Sequence, residues 1–184
     1  MSDLPATGLI RPATALDAEA IAAIRVDSWR ATYPGLVPDR YLIAMSAARD
    51  ARGWRESLGR PKSDITLVAV TAQGQSVGFA SGGPVRRKHL SCDAEVYALY
   101  VLPDFQDQGW GRRLLLGLFE ELSVLGCRSA YLWCLAENPS RFFYEALGGQ
   151  RRGERQEVFA DTALDEVAFV WPDLFELLAN NLRR

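Results

Sequence analysis

The sequence predicts a mixed α/β fold in which helices flank a central, mostly antiparallel sheet that contains one parallel pair of strands. First, two β-rich runs, "DITLVAV" and "SVGFASGG", are joined by a short segment with a glycine, which is typical of an antiparallel hairpin. Second, the strand-like "AEVYALYVLP", a helical segment and the strand-like "SAYLWCLA" follow one another. Such a β-α-β unit places its two strands in parallel, with a right-handed connection.

The other elements follow from hydrophobic periodicity and from start and stop signals. "LIRPATALDAEAIAAIRVDSWRATY" is predicted to begin with a short strand, after which Thr14 and Asp17 introduce a first helix. A second helix is predicted over "PDRYLIAMSAARDARGWRESL", starting at Pro38. Beyond the hairpin, a helix is expected from about residue 110 to 126, and a short one over "PSRFFYEALGG" with Asn138 as its N-cap. Two strand-like runs and a helical segment complete the chain.

Length and composition agree with one folded domain. The chain has 184 residues, of which 48% are hydrophobic and 24% are charged, as is usual for a globular protein. We expect a single domain over residues 1–184. Its core should cover about residues 9–172, and a helical extension should cover residues 173–184.

Charge and cysteine usage argue against several classes of function. The formal net charge of −2 gives no basic excess for binding nucleic acid, although local arginine clusters suit anionic small molecules. Three cysteines without a C-x-x-C pair argue against a disulfide framework or a zinc site, so we expect no metal and reduced thiols. There is no signal-peptide pattern, and Glu120 and Glu121 interrupt the longest apolar segment. We therefore expect a cytoplasmic protein with no membrane partner, and we expect its only histidine, His89, in a surface loop.

The stretch "QDQGWG", residues 106–111, joins a strand to a helix and is the first candidate for a binding site. First-turn amides of a helix have no intrahelical partner and the helix dipole adds positive charge, so an anion is favoured there. Gly109 and Gly111 remove Cβ atoms that would hold a diphosphate away, and Arg112 and Arg113 add positive charge. The stretch is not a Walker A loop, because it lacks the Gly-Lys-Ser/Thr of that motif. It is not a dinucleotide-binding fingerprint either, because it lacks the third glycine. The remaining alternative is a turn that only tolerates glycine.

The same stretch follows "LYVLPDF" and precedes, further along the chain, "ENPSRFFYEALGG". In this arrangement the sequence resembles the GCN5-related N-acetyltransferase (GNAT) superfamily. Its members carry a [QR]-x-x-G-x-[GA] loop between a strand and a long helix, then a strand ending near Asn and a helix with Tyr before Gly. Six positions match this pattern: Gln106, Gly109, Gly111, Asn138, Tyr144 and Gly148. The chain departs from many relatives at Gly149, where they have an aromatic residue.

The resemblance implies the GNAT fold, in which the parallel strands are splayed around acetyl-CoA, with CoA as the product. It implies that the pyrophosphate binds the loop and helix entrance, and that the pantetheine arm lies along the first parallel strand and near the asparagine. The implied cofactor-binding residues are Leu99, Tyr100, Val101, Gln106, Gln108, Gly109, Trp110, Gly111, Arg112, Asn138 and Tyr144. Asn138 precedes a proline and is also an expected helix N-cap, so it has two compatible interpretations.

The chemistry implied by the resemblance is direct attack of a substrate amine on the thioester, without a covalent enzyme intermediate. Tyr144 is the candidate general acid, and the amide of Val101 is the candidate donor to the carbonyl. Glu95 is the candidate base. Strand alternation puts Glu95 on the same face as Leu99 and Val101, toward the opening. The alternatives are a tyrosine that only packs and a glutamate that is only solvated.

The acceptor is expected to be a primary amine of a small molecule or a peptide. In the resembled family the first two helices usually line the acceptor pocket. Trp29 and Tyr33 are therefore candidate substrate-binding residues, with Tyr41 beside them, although these rings also suit core packing. Two alternatives stay open: a non-catalytic acyl-CoA sensor on the same fold, and a protein N-terminal or lysine acetyltransferase. Exposed strand edges or the C-terminal helix would suit a homodimer.

Overall fold

The computed structural model describes residues 7–60, 64–87 and 90–181. His89, the first six residues and the last three residues of the expected C-terminal extension lie outside the described residues. The strands and helices are β1 (Gly8–Pro12), α1 (Ala18–Thr32), α2 (Asp39–Ala44), α3 (Ala47–Leu58), β2 (Ile65–Thr71), β3 (Ser76–Pro84), β4 (Ala94–Val101), α4 (Trp110–Val124), β5 (Ala130–Leu135), α5 (Arg141–Ala146), β6 (Gln150–Phe159), β7 (Thr162–Trp171) and α6 (Leu174–Asn181).

The seven strands form one sheet in the order β1-β2-β3-β4-β5-β7-β6. Neighbouring strands are antiparallel except β4 and β5, which are the two strands of the predicted β-α-β unit. The predicted hairpin is formed by β2 and β3, and it turns at Gly74, whose positive φ of 86° favours glycine. The mixed, mostly antiparallel sheet is therefore confirmed.

The parallel pair stays together over only two residues of each strand. Residues 94–95 pair with residues 130–131, and within residues 90–181 no further pair joins these strands. β4 nevertheless continues to Val101 against β3, and β5 continues to Leu135 against β7. The two strands therefore diverge after Glu95 and leave an opening inside the sheet, as the expected splayed fold requires.

Helices cover both faces of this sheet. α4 covers one face, and its buried side chains recur at helical spacing, as in Leu114, Leu118 and Leu122. α1 covers the other face, where Ile21 packs in a cluster with Phe79. Among the residues that the structure describes, no helix is long and apolar enough to span a bilayer.

The single helix predicted from Pro38 is in fact two helices, α2 and α3. Met45 is extended (ψ 136°) and buried, so the chain turns inward between them. Ser46 then caps α3 by accepting a hydrogen bond from the Arg49 amide at 3.4 Å. Serine is a favoured N-cap, but here it interrupts an apolar pattern that continues through it, which is why periodicity predicted one helix.

The first helix begins at the predicted Thr14 signal, which forms a capping box with Asp17. Asp17 is 6% exposed and accepts two hydrogen bonds from the Arg11 guanidinium, at 2.7 and 2.8 Å. The Thr14 amide donates a third, at 2.8 Å. The bond from Arg11, assisted by those from Thr14, outweighs desolvation and lowers the pKa of Asp17 to about 2.

Replacing Asp17 with asparagine should lower the free energy of unfolding by about 2 kcal/mol at pH 7. A depressed pKa stabilises the fold above the carboxyl's unfolded-state pKa of about 3.9, and this contribution is lost as the pH falls toward 2. Urea unfolding at pH 7 and pH 3 should therefore show that the difference in free energy of unfolding between wild type and Asp17→Asn is about half as large at pH 3. Asp27→Asn, at an exposed position of α1, is the matched control and should change little. A difference of the same size at both pH values would contradict the ion-pair explanation.

Candidate active site

The helix entrance after β4 has the geometry of an anion site. Gly109 is the N-cap of α4 and is left-handed (φ 85°), a conformation that glycine adopts without Cβ strain. The Arg113 amide donates to the Gly109 carbonyl at 3.0 Å. The amides of Trp110, Gly111 and Arg112 precede this bond and have no intrahelical acceptor. The dipole of the 15-residue helix adds partial positive charge to them.

The glutamine side chains of the loop shape its backbone. Gln106 donates through Nε2 to the carbonyl of Val101 at 3.1 Å, which ties the loop to the end of β4. Gln108 donates through Nε2 to the carbonyl of Asp104 at 2.9 Å. Both side chains thus bind carbonyls of the protein itself, and the loop offers backbone amides to a ligand.

Residues 110–112 likewise make their side-chain contacts within the protein, so they offer mainly backbone groups at the helix entrance. The Trp110 side chain is 2% exposed and belongs to the core. A Cβ at Gly111 would lie 3.3 Å from Cζ of Phe143, so the close approach of α4 to α5 favours glycine. The Arg112 guanidinium donates to Oδ1 of Asn181 in α6 at 2.5 Å. These positions were predicted from the sequence pattern to bind a ligand, but their residue types are explained by contacts inside the protein.

β4 presents unpaired backbone groups to the opening. The Leu102 amide donates to the Val77 carbonyl of β3 at 2.9 Å. Successive residues of a strand direct their amides to opposite edges. The amides of Leu99 and Val101 therefore point away from β3, toward the side from which β5 has diverged. Tyr100 directs its backbone toward β3 instead.

A cavity of about 310 Å³ lies where β4 and β5 diverge. It brings together side chains from α1 and the residues just after it, from the segment before α5 and α5 itself, and from strands β4 to β7. The residues predicted from sequence that line it are Trp29, Tyr33, Glu95, Leu99, Tyr100, Asn138 and Tyr144. Val101 and the loop residues lie outside this lining, at the adjoining end of β4.

Tyr144 is buried, with 8% of its surface exposed, and it lines the cavity. Its ring lies against Phe143, Phe169 and Trp171, with centroid separations of 5.4, 5.6 and 6.3 Å. Burial raises the pKa of its phenol well above the ordinary value. Tyr144 therefore packs in the core and also keeps a protonated hydroxyl at the cavity, so the two interpretations from sequence are compatible.

Asn138 connects two sides of the cavity. It is 4% exposed, its Oδ1 accepts from the Ser140 amide at 2.8 Å, and its Nδ2 donates to the Tyr33 hydroxyl at 3.2 Å. The helix N-cap is Ser140, two residues later than expected, because the chain after Asn138 first makes a turn. Burial raises the pKa of Tyr33 despite the bond from Asn138, so this phenol also stays neutral.

The expected placement of Glu95 on the same strand face as Leu99 and Val101 is wrong. The pairing of β3 with β4 shifts by one residue at Tyr97, which forms a β-bulge. Leu99 and Val101 belong to the core cluster under α4, as Val96 does, and this leaves Glu95 on the face covered by α1. The prediction from strand alternation failed because the extra residue of the bulge reverses which face the following side chains occupy.

Glu95 nevertheless lines the cavity and has a defined position. Its Oε2 accepts a hydrogen bond from the Arg86 amide at 2.9 Å. The side chain is partly exposed, so the carboxylate is available to a ligand or to water. This arrangement suits a proton acceptor, because the hydrogen bond to Oε2 orients the carboxylate and leaves Oε1 available.

An aromatic cluster forms the wall next to α1. The Trp29 ring lies 4.7 Å from Tyr33, 5.5 Å from Tyr41 and 5.7 Å from Phe159, measured between centroids. Trp29 also donates through Nε1 to the Tyr100 hydroxyl at 2.9 Å. Phe159 and the side chain of Tyr100 were not predicted from the sequence as wall residues. The only local signal was period-two alternation at the end of β6.

Charged residues of β6 and β7 form another part of the lining. Arg155 donates through Nε to Oε2 of Glu166 at 2.7 Å, and its guanidinium stacks 4.2 Å from the centroid of the Trp133 ring. Glu157 also lines the cavity. These acidic residues were missed too, because only the arginines of residues 151–155 stood out in the sequence.

Across residues 7–60, 64–87 and 90–181, no group of three or more His, Cys, Asp or Glu side chains is placed to hold a metal ion. Cys134 lines the cavity as a free thiol, and burial raises its pKa to about 12. A thiol with a raised pKa is a poor nucleophile at neutral pH.

Known proteins resemble this chain in sequence and in fold. The family model described as acetyltransferase (GNAT) matches residues 21–149. The uncharacterized N-acetyltransferase YuaI of Bacillus subtilis (strain 168) is 37% identical over 168 residues, which are 91% of this chain and 95% of that protein. A ribosomal-protein-alanine N-acetyltransferase from Brucella melitensis has a TM-score of 0.71 at 26% identity, with 89% of this chain and 99% of that one covered.

A further solved structure is that of PaiA N-acetyltransferase from Thermoplasma acidophilum in complex with coenzyme A. Its TM-score is 0.62 at 20% identity, with 86% of this chain and 96% of that one covered. The family match includes α1, the strands that diverge, the helix entrance and α5. The chain therefore belongs to the GNAT family of acetyltransferases and is an acyltransferase.

Proposed function

We propose that this GNAT protein uses acetyl-CoA to acetylate a primary amine of a small molecule or a peptide, by direct attack in a ternary complex. The observation that carries the proposal is the opening between β4 and β5, which adjoins the helix entrance and contains the phenol of Tyr144. The neighbour solved with coenzyme A supports the same cofactor.

The described residues fit this cofactor at two places. The open amides of Trp110, Gly111 and Arg112 suit a pyrophosphate, in the loop shaped by Gln106, Gln108 and Gly109. The backbone of Leu99 and Val101 faces the opening and suits the amide groups of a pantetheine arm, with Asn138 across the cavity. Bound acetyl-CoA supplies the acetyl group already activated as a thioester, so the chain needs no nucleophile of its own.

Three groups of the chain meet the needs of direct amine attack. Glu95 accepts a proton from the incoming ammonium, directly or through water, and the nitrogen lone pair becomes free to form the new bond. The Val101 amide would donate to the acetyl oxygen of bound acetyl-CoA as negative charge builds on it. Tyr144, whose phenol burial keeps protonated, would give its proton to the sulfur as the C–S bond breaks, and the second proton that the nitrogen loses on forming the amide would return to the phenolate, directly or through water.

Trp29 and Tyr33 are the proposed acceptor-binding residues. Both line the cavity, and the Tyr33 hydroxyl accepts a hydrogen bond from Asn138. We also infer that residues 1–184 form one acetyltransferase domain in the cytoplasm. The single sheet supports one domain, and three free thiols suit a reducing compartment.

Gly109→Ala should weaken acetyl-CoA binding by about tenfold, because a left-handed alanine costs roughly 1–2 kcal/mol and the loop would give up the conformation that presents its amides. Gly74→Ala is the matched control. It has nearly the same φ (86° against 85°), and neither added Cβ meets an atom within 4 Å. Calorimetric titration should show normal affinity for the control. Equal affinity of both variants would contradict the loop's role, and no binding to the wild-type protein would overturn the cofactor.

Tyr144→Phe should lower kcat by about 100-fold or more, because the general acid is lost while the ring remains. Acetyl-CoA affinity and the unfolding midpoint should stay close to wild type, which separates chemistry from packing. The measurement is thiol release under saturating substrates. Turnover at the wild-type rate would leave Tyr144 with a packing role only.

Glu95→Gln should lower kcat/KM by about 100-fold at pH 7, and the loss should shrink as the pH rises. The reason is that a larger fraction of the amine is then neutral before it binds. A pH profile of both proteins tests this expectation. A loss of kcat/KM that is the same at every pH would indicate that Glu95 only positions the Arg86 backbone. No loss of kcat/KM at any pH would exclude both the base role and the positioning role.

A further inference from the structure

The cavity proposed for the amine has an acidic lining. Glu95, Glu157 and Glu166 contribute carboxylates, and Arg155 contributes one guanidinium. Three negative charges against one positive charge leave a formal charge of −2. An acceptor that enters this cavity therefore meets a negative potential in addition to the single base that the chemistry requires.

Glu157 is the carboxylate of this lining that has neither a close ion pair nor a role in the proposed chemistry. Glu166 is bound by Arg155 at 2.7 Å, and Glu95 accepts from a backbone amide at 2.9 Å. Glu157 has Arg87 at 3.6 Å, but 71% of the Arg87 side chain is exposed to solvent. Such exposed ion pairs contribute little, so Glu157 keeps most of its capacity to attract a cation.

Strand alternation points Glu157 into the cavity. Residues 155, 157 and 159 of β6 are partly buried and line it, whereas residues 154, 156 and 158 are exposed on the opposite face. The aromatic rings of Trp29, Tyr33 and Phe159 lie in the same lining. Ring faces attract cations, so the aromatic and acidic parts of the wall favour the same kind of ligand.

A second cavity, of about 610 Å³, shares Trp29, Tyr97, Ala98 and Tyr100 with the first. Its charges are mostly paired, with Arg25 and Asp50 at 2.5 Å and Arg86 and Asp64 at 3.5 Å. Arg49 adds one exposed positive charge at this side. The stronger uncompensated charge therefore lies in the first cavity, next to the proposed reacting amine.

We propose that the acceptor is an alkylamine that carries a second cationic group, as in a diamine, and that Glu157 selects for this second charge. This inference rests on the proposed function and names the acceptor class for the same site. A carboxylate close to the reacting amine would be repelled by the acidic lining. An acceptor with one positive charge would gain only part of the attraction.

Three amines of nearly equal length test the proposal: 1,5-diaminopentane, pentylamine and 6-aminohexanoate. They present the same reacting amine and differ in the charge of the far end. We expect kcat/KM for thiol release to fall in that order, with the diamine about fivefold better than pentylamine. Glu157→Gln should reduce this preference toward equality. Glu154→Gln, on the exposed face of β6 and paired with Arg151 at 2.8 Å, should retain both the activity and the preference.

Two results would overturn the proposal. One is turnover of 6-aminohexanoate equal to or better than that of the diamine, which would instead indicate recognition of an anionic end by Arg49. The other is an unchanged diamine preference in Glu157→Gln. Calorimetric binding of the three amines decides the charge preference even if none of them releases thiol. In that case the proposed chemistry finds no support from these amines, while tighter binding of the diamine would still support the acidic lining as a site for cations and equal binding of the three amines would overturn it.

Discussion

The divergence of β4 from β5 after two residue pairs is the constraint on which the site depends. Continued pairing would have used the amides of Leu99 and Val101 in the sheet and would have closed the cavity. Because β3 still pairs with β4 and β7 still pairs with β5, each strand keeps hydrogen bonds along its other edge. The opening therefore leaves both strands supported, and the unpaired edge is available for a ligand.

The irregularity of β4 is matched by glycines in β3. A Cβ at Gly78 would lie 2.8 Å from the Tyr100 carbonyl, and one at Gly82 would lie 2.9 Å from the Glu95 carbonyl. Side chains there would push the two strands apart. The bulge at Tyr97 and the glycines of β3 thus allow the two strands to stay paired, and the bulge turns Glu95 to the face covered by α1 and the aromatic cluster.

The cavity has two ends of different character. Near α5, burial keeps the phenols of Tyr33 and Tyr144 neutral, and Asn138 joins the two sides by hydrogen bonds. Toward β6 and β7 the lining is acidic. In the proposed reaction, the neutral phenol of Tyr144 suits protonation of a leaving sulfur, and Glu95 of β4 suits removal of a proton from the ammonium ion.

The order of elements, the parallel pair and the loop at residues 106–111 could be predicted from the sequence, because periodicity, glycine turns and helix-start signals are local properties. Most of the cavity lining contributed by α1, β4 and α5 could also be predicted, through a motif whose spacing is local to each segment. Tertiary structure decided the helix break at Ser46, the face of Glu95 and the entry of Glu157 into the cavity. Each of these depends on burial, or on the register between strands that are distant in the chain, and neither can be seen in one segment alone.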